Sequence, residues 1–150
     1  MFPLPAPIPT PRLLVIDDDP AVRQVIAAVA RSVGFAVTGC DGATDLDARL
    51  ADCADLIILD LVMPVVDGIE VIEKLGSVWS SARLVLVSGQ ERRVLASASR
   101  LATAHGLKVA AVVAKPFSNA DLRACLVEQR DALSLGGTAS AAAAAQVTAG

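Results

Sequence analysis

The sequence lacks several features that define other classes of protein. No apolar stretch approaches the roughly 20 residues that a membrane-spanning helix needs. Residues 1–11 have neither a basic start nor a continuous apolar core, so they are not expected to be a secretory signal. The net charge is −3, which argues against a broad basic surface. We therefore expect no direct nucleic-acid binding and no membrane insertion.

Sulfur-containing and aromatic residues are also scarce. The chain has no tyrosine and only three cysteines, which are Cys40, Cys53 and Cys125. Their spacing matches neither a metal site nor a redox motif, and an odd number cannot all pair with one another. We therefore expect buried or half-buried thiols in a reducing cytoplasm.

The sequence does contain enough apolar material for one core. Apolar residues make up 54% and charged residues 19% of the 150 positions, which predicts one globular domain, at residues 12–133. Proline occupies every second position from Pro3 to Pro11, so residues 1–11 are predicted to be an extended arm, either a plain leader or a docking peptide. The Gly- and Ala-rich residues 134–150 are predicted to be a linker, a disordered tail or an extension of the last helix.

Strand-like and helical segments alternate through the domain. Asp19 followed by Pro20 predicts a helix start, and Gly34 predicts its end. The apolar residues that recur at helical spacing between them are Val22, Val25, Ile26, Val29 and Val33. Strands are predicted at 13–16, 35–40, 55–59, 83–87 and 109–114, and helices at 20–33, 43–50, 68–75, 91–105 and from 119. This order predicts an α/β fold, (βα)5, with a doubly wound five-stranded parallel sheet.

Polar residues stand at the ends of four predicted strands. Asp17 and Asp18 follow the first strand, Asp60 the third, Ser88 the fourth and Lys115 the fifth. The carboxyl ends of parallel strands share one edge of the sheet, where open α/β folds place their sites. A carboxylate at the end of a buried strand must be hydrated, paired or bound to a metal. We therefore predict one site, centred on Asp60.

Magnesium prefers hard oxygen ligands in octahedral geometry. The pair Asp17 and Asp18 opposite Asp60 suits it, and a divalent ion would compensate the repulsion between these acids. The alternative, a helix cap, explains only Asp19. The sequence therefore predicts a Mg²⁺ site, with Mn²⁺ as an alternative ion.

A carboxylate can itself accept a phosphoryl group as an acyl phosphate. Such transfer depends mainly on positioning and on neutralising the phosphoryl oxygens. Lys115 can supply an ammonium group, and the Ser88 hydroxyl can donate a hydrogen bond. The hypothesis is a metal-assisted site in which Asp60 accepts the phosphoryl group.

These residues, together with Met63-Pro64, Asp67-Gly68 and Pro116-Phe117, resemble the receiver domain of two-component response regulators. The resemblance covers about residues 12–130 and implies a flavodoxin-like fold with strand order 2-1-3-4-5. It implies that a histidine kinase or a phosphotransfer protein delivers the phosphoryl group to Asp60. It also implies a cis peptide bond before Pro116.

The resemblance further implies a role for each site residue. Asp18, Asp60 and the Val62 carbonyl would bind Mg²⁺ directly, with Asp17 acting largely through water. Ser88 and Lys115 would bind the phosphoryl oxygens. The last helix-strand-helix face would then change and switch the binding of an output partner, with a phosphorylation-dependent homodimer as an alternative.

Two features depart from the family pattern. Receivers often carry an aromatic residue on the fifth strand, three positions before the lysine, and here that position is Val112. The stretch from Ser88 to Lys115 is also several residues longer than in the smallest receivers. Within it, the run Ser99 to Leu107 is similar to receivers fused to cyclic-di-GMP phosphodiesterase domains, although the 150 residues include no such output domain. We therefore expect switching through backbone and helix movement.

Two other functions stay open at this point. A phosphatase of the haloacid-dehalogenase type would use Asp17 and Asp19 on the first strand, but this leaves Asp60 to Pro64 unexplained. An interaction module that no longer receives phosphate would not need the acids or Lys115. We therefore expect a cytoplasmic signalling switch whose only chemistry is self-directed, and not an enzyme with an external substrate.

Overall fold

The structure is a computed structural model that describes residues 9–42, 54–61, 68–77, 82–89 and 92–134, together with Leu46 and Ala48. Within these residues one sheet contains five parallel strands in the order β2-β1-β3-β4-β5. The strands are β1 (Arg12–Ile16), β2 (Ala36–Cys40), β3 (Leu56–Asp60), β4 (Arg83–Ser88) and β5 (Lys108–Ala114). The predicted fold class and strand order are confirmed.

Helices connect these strands. The described helices are α1 (Pro20–Val33), α2 (Gly68–Ser77), α3 (Arg92–Ala104) and α4 (Asn119–Ser134). The helix predicted at 43–50 lies mostly outside the described residues, although Leu46 and Ala48 are helical. Residues 1–8 and 135–150 also lie outside them, so the domain boundaries stay predictions. No helix in the described part of the chain is long and apolar enough to cross a membrane.

The sheet is buried on both faces, as a doubly wound fold requires. Every residue of β3 is buried, and successive side chains point to opposite faces. Ile57 and Leu59 belong to one apolar cluster, and Leu56 and Ile58 to the other. The first cluster includes residues of α2 and α3, among them Ile72, Ala98 and Ala102. The second includes residues of α1 and α4, among them Ile26, Ala30, Leu122 and Leu126.

Helix α1 begins and ends at the predicted residues. The Asp19 side chain accepts a hydrogen bond from the Ala21 N–H at 2.9 Å, and Pro20 is the first helical residue. Gly34 adopts φ 108°, and its N–H caps the last turn. One apolar residue differs from its neighbours: Val25 is 42% exposed, whereas Ile26 is buried. With 3.6 residues per turn, Val25 lies at the margin of the apolar stripe and not at its centre.

Candidate functional site

Strand register brings the predicted site residues to one edge of the sheet. Ile16 pairs with Leu59 in the neighbouring strand, so Asp17 and Asp60 follow at the same level. Ser88 pairs with Ala114, the residue before Lys115. The Lys115 N–H donates to the Ser88 carbonyl at 2.7 Å, and the bond to the following proline is cis.

Asp17, Asp18 and Asp60 form a cluster of three carboxylates. Each offers one oxygen, and these oxygens lie within 4.8 Å of one another. Oxygen ligands of Mg²⁺ lie at about 2.0–2.1 Å from the ion, so adjacent ligands are about 3 Å apart and opposite ligands about 4 Å apart. The cluster would therefore contract if all three oxygens bound one ion directly. The donor set and its spacing fit a hard divalent cation.

Asp17 is the most deeply buried of these acids, with 1% of its surface exposed. Its Oδ1 accepts the Asp19 N–H at 2.9 Å, and its Oδ2 lies 3.5 Å from Lys115 Nζ. Burial raises the pKa of Asp17, and the negative charge of Asp60 adds to that effect. The Asp19 N–H and Lys115 lower the pKa of Asp17 but do not cancel the rise. The ionised form of Asp17 is thus destabilised by its surroundings, and a bound metal cation would stabilise it.

Lys115 supplies the positive charge that faces these acids. Its Nζ donates to Asp60 Oδ2 at 3.0 Å. Burial by itself lowers the pKa of Lys115, but the hydrogen bond to Asp60 and the charges of Asp17 and Asp60 outweigh burial and raise it. Because 30% of the Lys115 side chain is exposed, the ammonium group is accessible from solvent. It is charged at neutral pH and available to a ligand that carries negative oxygens.

Ser88 completes the described part of the site. The residue is 3% exposed, and its hydroxyl lies 3.5 Å from the Gly89 carbonyl. That separation is longer than an ordinary O–H···O hydrogen bond, so the contact holds the hydroxyl only weakly. The hydroxyl is therefore able to turn toward an incoming oxygen without losing a strong bond. The predicted Val62 carbonyl ligand, Met63-Pro64 and Asp67 lie outside the described residues.

No sequence pattern pointed to Arg23, yet it contacts this site. Its Nη1 donates to the backbone carbonyl of Asp17 at 2.6 Å. The Arg23 side chain also lies beside Gly39 of β2, in ordinary van der Waals range. An ideal Cβ at Gly39 would lie 3.5 Å from Cδ of Arg23.

The fold and the site together define an α/β protein with three carboxylates and one ammonium group at the carboxyl edge of its sheet. A family model described as "Response regulator receiver domain" matches residues 13–127. The chain is 34% identical to the transcriptional activator protein PfeR of Pseudomonas aeruginosa over 119 residues, which is 78% of this chain and 37% of that relative. It is 33% identical to the response regulator MprA of Mycobacterium avium over 81 residues, 53% of this chain and 36% of the relative.

A solved structure supports the same assignment. A crystal structure of a response regulator from Colwellia psychrerythraea has a TM-score of 0.69 and 33% sequence identity, and the match covers 80% of this chain and 96% of that one. The chain therefore belongs to the receiver-domain family of two-component response regulators, and the predicted family is confirmed. It spans about a third of the length of the curated relatives that it matches.

Proposed function

We propose that Asp60 accepts a phosphoryl group in a Mg²⁺-dependent reaction and that this modification switches partner binding. The observation that carries the proposal is the 3.0 Å contact between Lys115 Nζ and Asp60 Oδ2 inside the carboxylate cluster. The cluster suits a divalent cation, and the ammonium suits phosphoryl oxygens. A nucleophile between two sources of positive charge is what phosphoryl transfer requires.

The proposed donor is a phosphohistidine on a histidine kinase or a phosphotransfer protein. A carboxylate oxygen of Asp60 attacks phosphorus, the P–N bond breaks, and the released imidazole nitrogen takes up a proton. Lys115 and Ser88 bind phosphoryl oxygens as the group arrives. Asp17, Asp18, Asp60 and the Val62 carbonyl would hold Mg²⁺ (or Mn²⁺), which supplies further positive charge to those oxygens.

The proposed chemistry is confined to the protein itself, and comprises phosphoryl acceptance and later hydrolysis of the acyl phosphate. The phosphatase alternative would need Asp19 as a second acid that faces a substrate. Instead, Asp19 Oδ1 accepts the Ala21 N–H and caps α1, which leaves that side chain in a structural role. An interaction module without phosphorylation would not need the ion pair between Lys115 and Asp60.

The surface formed by α3, β5 and α4 is the proposed output face. Val112 on β5 is 45% exposed, and Ala114 at the end of the same strand is also exposed. An exposed valine at this position offers apolar area to a partner without an aromatic rotamer switch. The output partner would dock there, with a phosphorylation-dependent homodimer as the alternative. Response regulators are generally cytoplasmic, and we propose that location here.

The direct test is phosphorylation by acetyl phosphate with Mg²⁺, followed by intact mass spectrometry. We expect one added phosphoryl group on the wild-type protein and none on Asp60→Asn. A matched control is Asp131→Asn, which removes an exposed acid of α4 far along the chain from the site. The control should be phosphorylated like the wild type.

Two outcomes would count against the proposal. Equal phosphorylation of wild type and Asp60→Asn would place the acceptor elsewhere. Sustained hydrolysis of a phosphomonoester such as p-nitrophenyl phosphate by the wild type would favour the phosphatase alternative. Chelation of Mg²⁺ with EDTA should abolish the mass increase, which separates the metal-dependent reaction from nonspecific acylphosphate chemistry.

A further inference from the structure

Arg23 joins α1 to the loop that carries the acid pair. Its Nη1 donates to the backbone carbonyl of Asp17 at 2.6 Å. Its backbone N–H donates to the Asp19 carbonyl at 3.0 Å, in the first turn of the helix. Hydrogen bonds from a charged donor are shorter and stronger than neutral ones. The loop is therefore held on both sides of Asp18: by the Arg23 side chain at the Asp17 carbonyl and by an ordinary helical hydrogen bond at the Asp19 carbonyl.

The carbonyl that Arg23 binds belongs to the peptide group between Asp17 and Asp18. A peptide group is planar and includes the Cα atoms of both residues, so a bond to its oxygen limits the rotation of that plane. The Asp17 N–H also donates to the Cys40 carbonyl at 3.2 Å. The backbone that leads into Asp18 is therefore fixed from β2 on one side and from α1 on the other.

The Asp18 side chain has no comparable support of its own. Among the described residues, its carboxylate makes neither a hydrogen bond nor an ion pair, whereas Asp17 and Asp60 both contact Lys115. Its direction is consequently set by the backbone from which it projects. The orientation of the Asp17–Asp18 peptide then decides how well the Asp18 oxygen meets a shared cation.

Gly39 lies beside the Arg23 side chain. An ideal Cβ at this position would lie 3.5 Å from Arg23 Cδ and 4.0 Å from its Nε, which is ordinary van der Waals contact. The groove between α1 and β2 encloses about 260 Å³ and is lined by Arg23 and also by Arg31. Arg31 is eight positions further along the same helix, and no hydrogen bond joins it to Asp17 within the described residues.

From this geometry we infer that Arg23 is a positioning residue: by holding the Asp17–Asp18 peptide, it sets the Asp18 carboxylate for cation binding. The inference rests on the proposed function, because it assigns Arg23 a part in that same site. The Arg23 side chain binds a backbone carbonyl of the loop, so it would act on the cation through the backbone and not as a ligand. Loss of Arg23 should therefore weaken Mg²⁺ binding while leaving Asp60 and Lys115 in place.

The test compares Mg²⁺ affinity, by titration calorimetry, in wild type, Arg23→Ala, Arg23→Lys and the control Arg31→Ala. Partners that orient metal ligands typically change affinity by about 10- to 100-fold when removed. Because Arg23 acts through a peptide group, we expect the lower end, about a tenfold higher Kd for Arg23→Ala. Arg23→Lys keeps one ammonium donor and should show about a threefold higher Kd. Arg31→Ala removes the same charge from the same groove and should stay within about twofold of wild type.

Two further readouts separate positioning from general support of the fold. Phosphorylation of Arg23→Ala by acetyl phosphate should be slow at low Mg²⁺ and approach the wild-type rate at saturating Mg²⁺. The increase in unfolding temperature caused by a fixed Mg²⁺ concentration should be smaller for Arg23→Ala than for Arg31→Ala. A purely structural role would lower the unfolding temperature equally with and without Mg²⁺ and leave Kd unchanged.

Equal Mg²⁺ affinities of Arg23→Ala and Arg31→Ala would overturn the inference. If Arg23→Ala does not fold, Arg23→Lys decides, and a Kd equal to that of wild type rejects the role. If the wild type binds Mg²⁺ and is phosphorylated, and the Arg23 variants have the same Kd for Mg²⁺ as the wild type, this inference alone is rejected. A wild-type protein that binds no Mg²⁺ and accepts no phosphoryl group would reject the proposed function as well.

Discussion

Removing the Asp18 carboxylate should stabilise the protein in the absence of divalent cations. Its nearest carboxylate oxygen lies within 4.8 Å of those of Asp17 and Asp60, and within the described residues it has no compensating cation. Asp18→Asn keeps the shape of the side chain and removes its negative charge. The repulsion with two neighbours disappears, and no ion pair is lost.

The size of the effect follows from these distances. Two unit charges at the 4.8 Å upper limit of these separations repel by about 3 kcal/mol at an effective dielectric constant of about 20. Asp18 is only half-buried, so solvent reduces each repulsion to about 1 kcal/mol. We therefore expect Asp18→Asn to raise the free energy of unfolding by about 2 kcal/mol, or roughly 6 to 8 °C in unfolding temperature.

Asp60→Asn makes a useful comparison because it also removes a charge from the cluster. Here the lost repulsion is offset by the loss of the contact with Lys115 at 3.0 Å, which is worth about 5 kcal/mol at the same dielectric constant before desolvation is counted. The net change in stability should therefore be close to zero. Without metal, Asp18→Asn should therefore have the highest free energy of unfolding. Wild type and Asp60→Asn should have similar, lower values.

Thermal and urea unfolding, followed by circular dichroism in EDTA and in saturating Mg²⁺, measures these differences. In Mg²⁺ the wild type should gain stability, because the cation binds only the folded state. The Asp18→Asn variant should gain little stability from Mg²⁺, so the difference between its free energy of unfolding and that of the wild type should shrink or change sign. If Asp18→Asn is no more stable than wild type in EDTA, or Asp60→Asn is stabilised more than Asp18→Asn, the charge-repulsion reasoning is wrong.

Three further changes test other parts of the structure. Lys115→Met removes the ammonium group that competes with a metal cation for Asp60, so titration calorimetry should show about tenfold tighter Mg²⁺ binding. The same variant lacks a group that binds phosphoryl oxygens, so acetyl phosphate should modify it about tenfold more slowly than the wild type. Burial, and then the charge of Glu128, raise the pKa of the Cys125 thiol, so its alkylation by iodoacetamide should reach half-maximal rate above the ordinary thiol range. Because the unfolded thiol loses its proton first, the Cys125 contribution to urea-unfolding stability should fall as pH rises above about 8.5. Gly34→Ala places a Cβ on a residue at φ 108° and should lower the free energy of unfolding by about 1 to 2 kcal/mol.

Each of these experiments has its own control. Weaker Mg²⁺ binding by Lys115→Met would contradict competition for the carboxylate. Replacing Cys40 and Cys53 by alanine leaves Cys125 as the single thiol, and a midpoint at the value of a free thiol would contradict the effect of burial. Gly39→Ala should be nearly neutral, because its Cβ meets only ordinary van der Waals contacts. A loss as large as that of Gly34→Ala would mean that neither φ nor the 2.9 Å approach of a Gly34 Cβ to Arg130 Nε is the cause.

Local patterns predicted much of the fold. The alternation of apolar runs with amphipathic segments predicted the strands, and Asp19, Pro20 and Gly34 predicted the bounds of α1. Of the other bounds that the structure describes, some agree and the rest differ by one or two residues, because strand and helix ends depend on pairing and fraying that no local pattern encodes. Asp60 and Ser88, for example, still pair within their strands.

Sequence patterns predicted only part of the candidate site. Chain order and strand direction were sufficient to suggest that Asp17, Asp18, Asp60, Ser88 and Lys115 share one edge. Which oxygen Lys115 contacts is a matter of side-chain conformation, and strand spacing does not determine it. The contact between Arg23 and the Asp17 carbonyl depends on the packing of α1 against β2, so sequence spacing did not reveal it.

The sequence by itself determined the class of fold and the residues at the strand ends, because both follow from the order of apolar and polar positions along the chain. The tertiary structure determined which of those residues form ion pairs. The Lys115 ammonium group contacts both Asp60 and Asp17, and Val112 is exposed on β5. Such contacts join residues far apart in the chain, and their geometry exists only when the sheet and helices have packed.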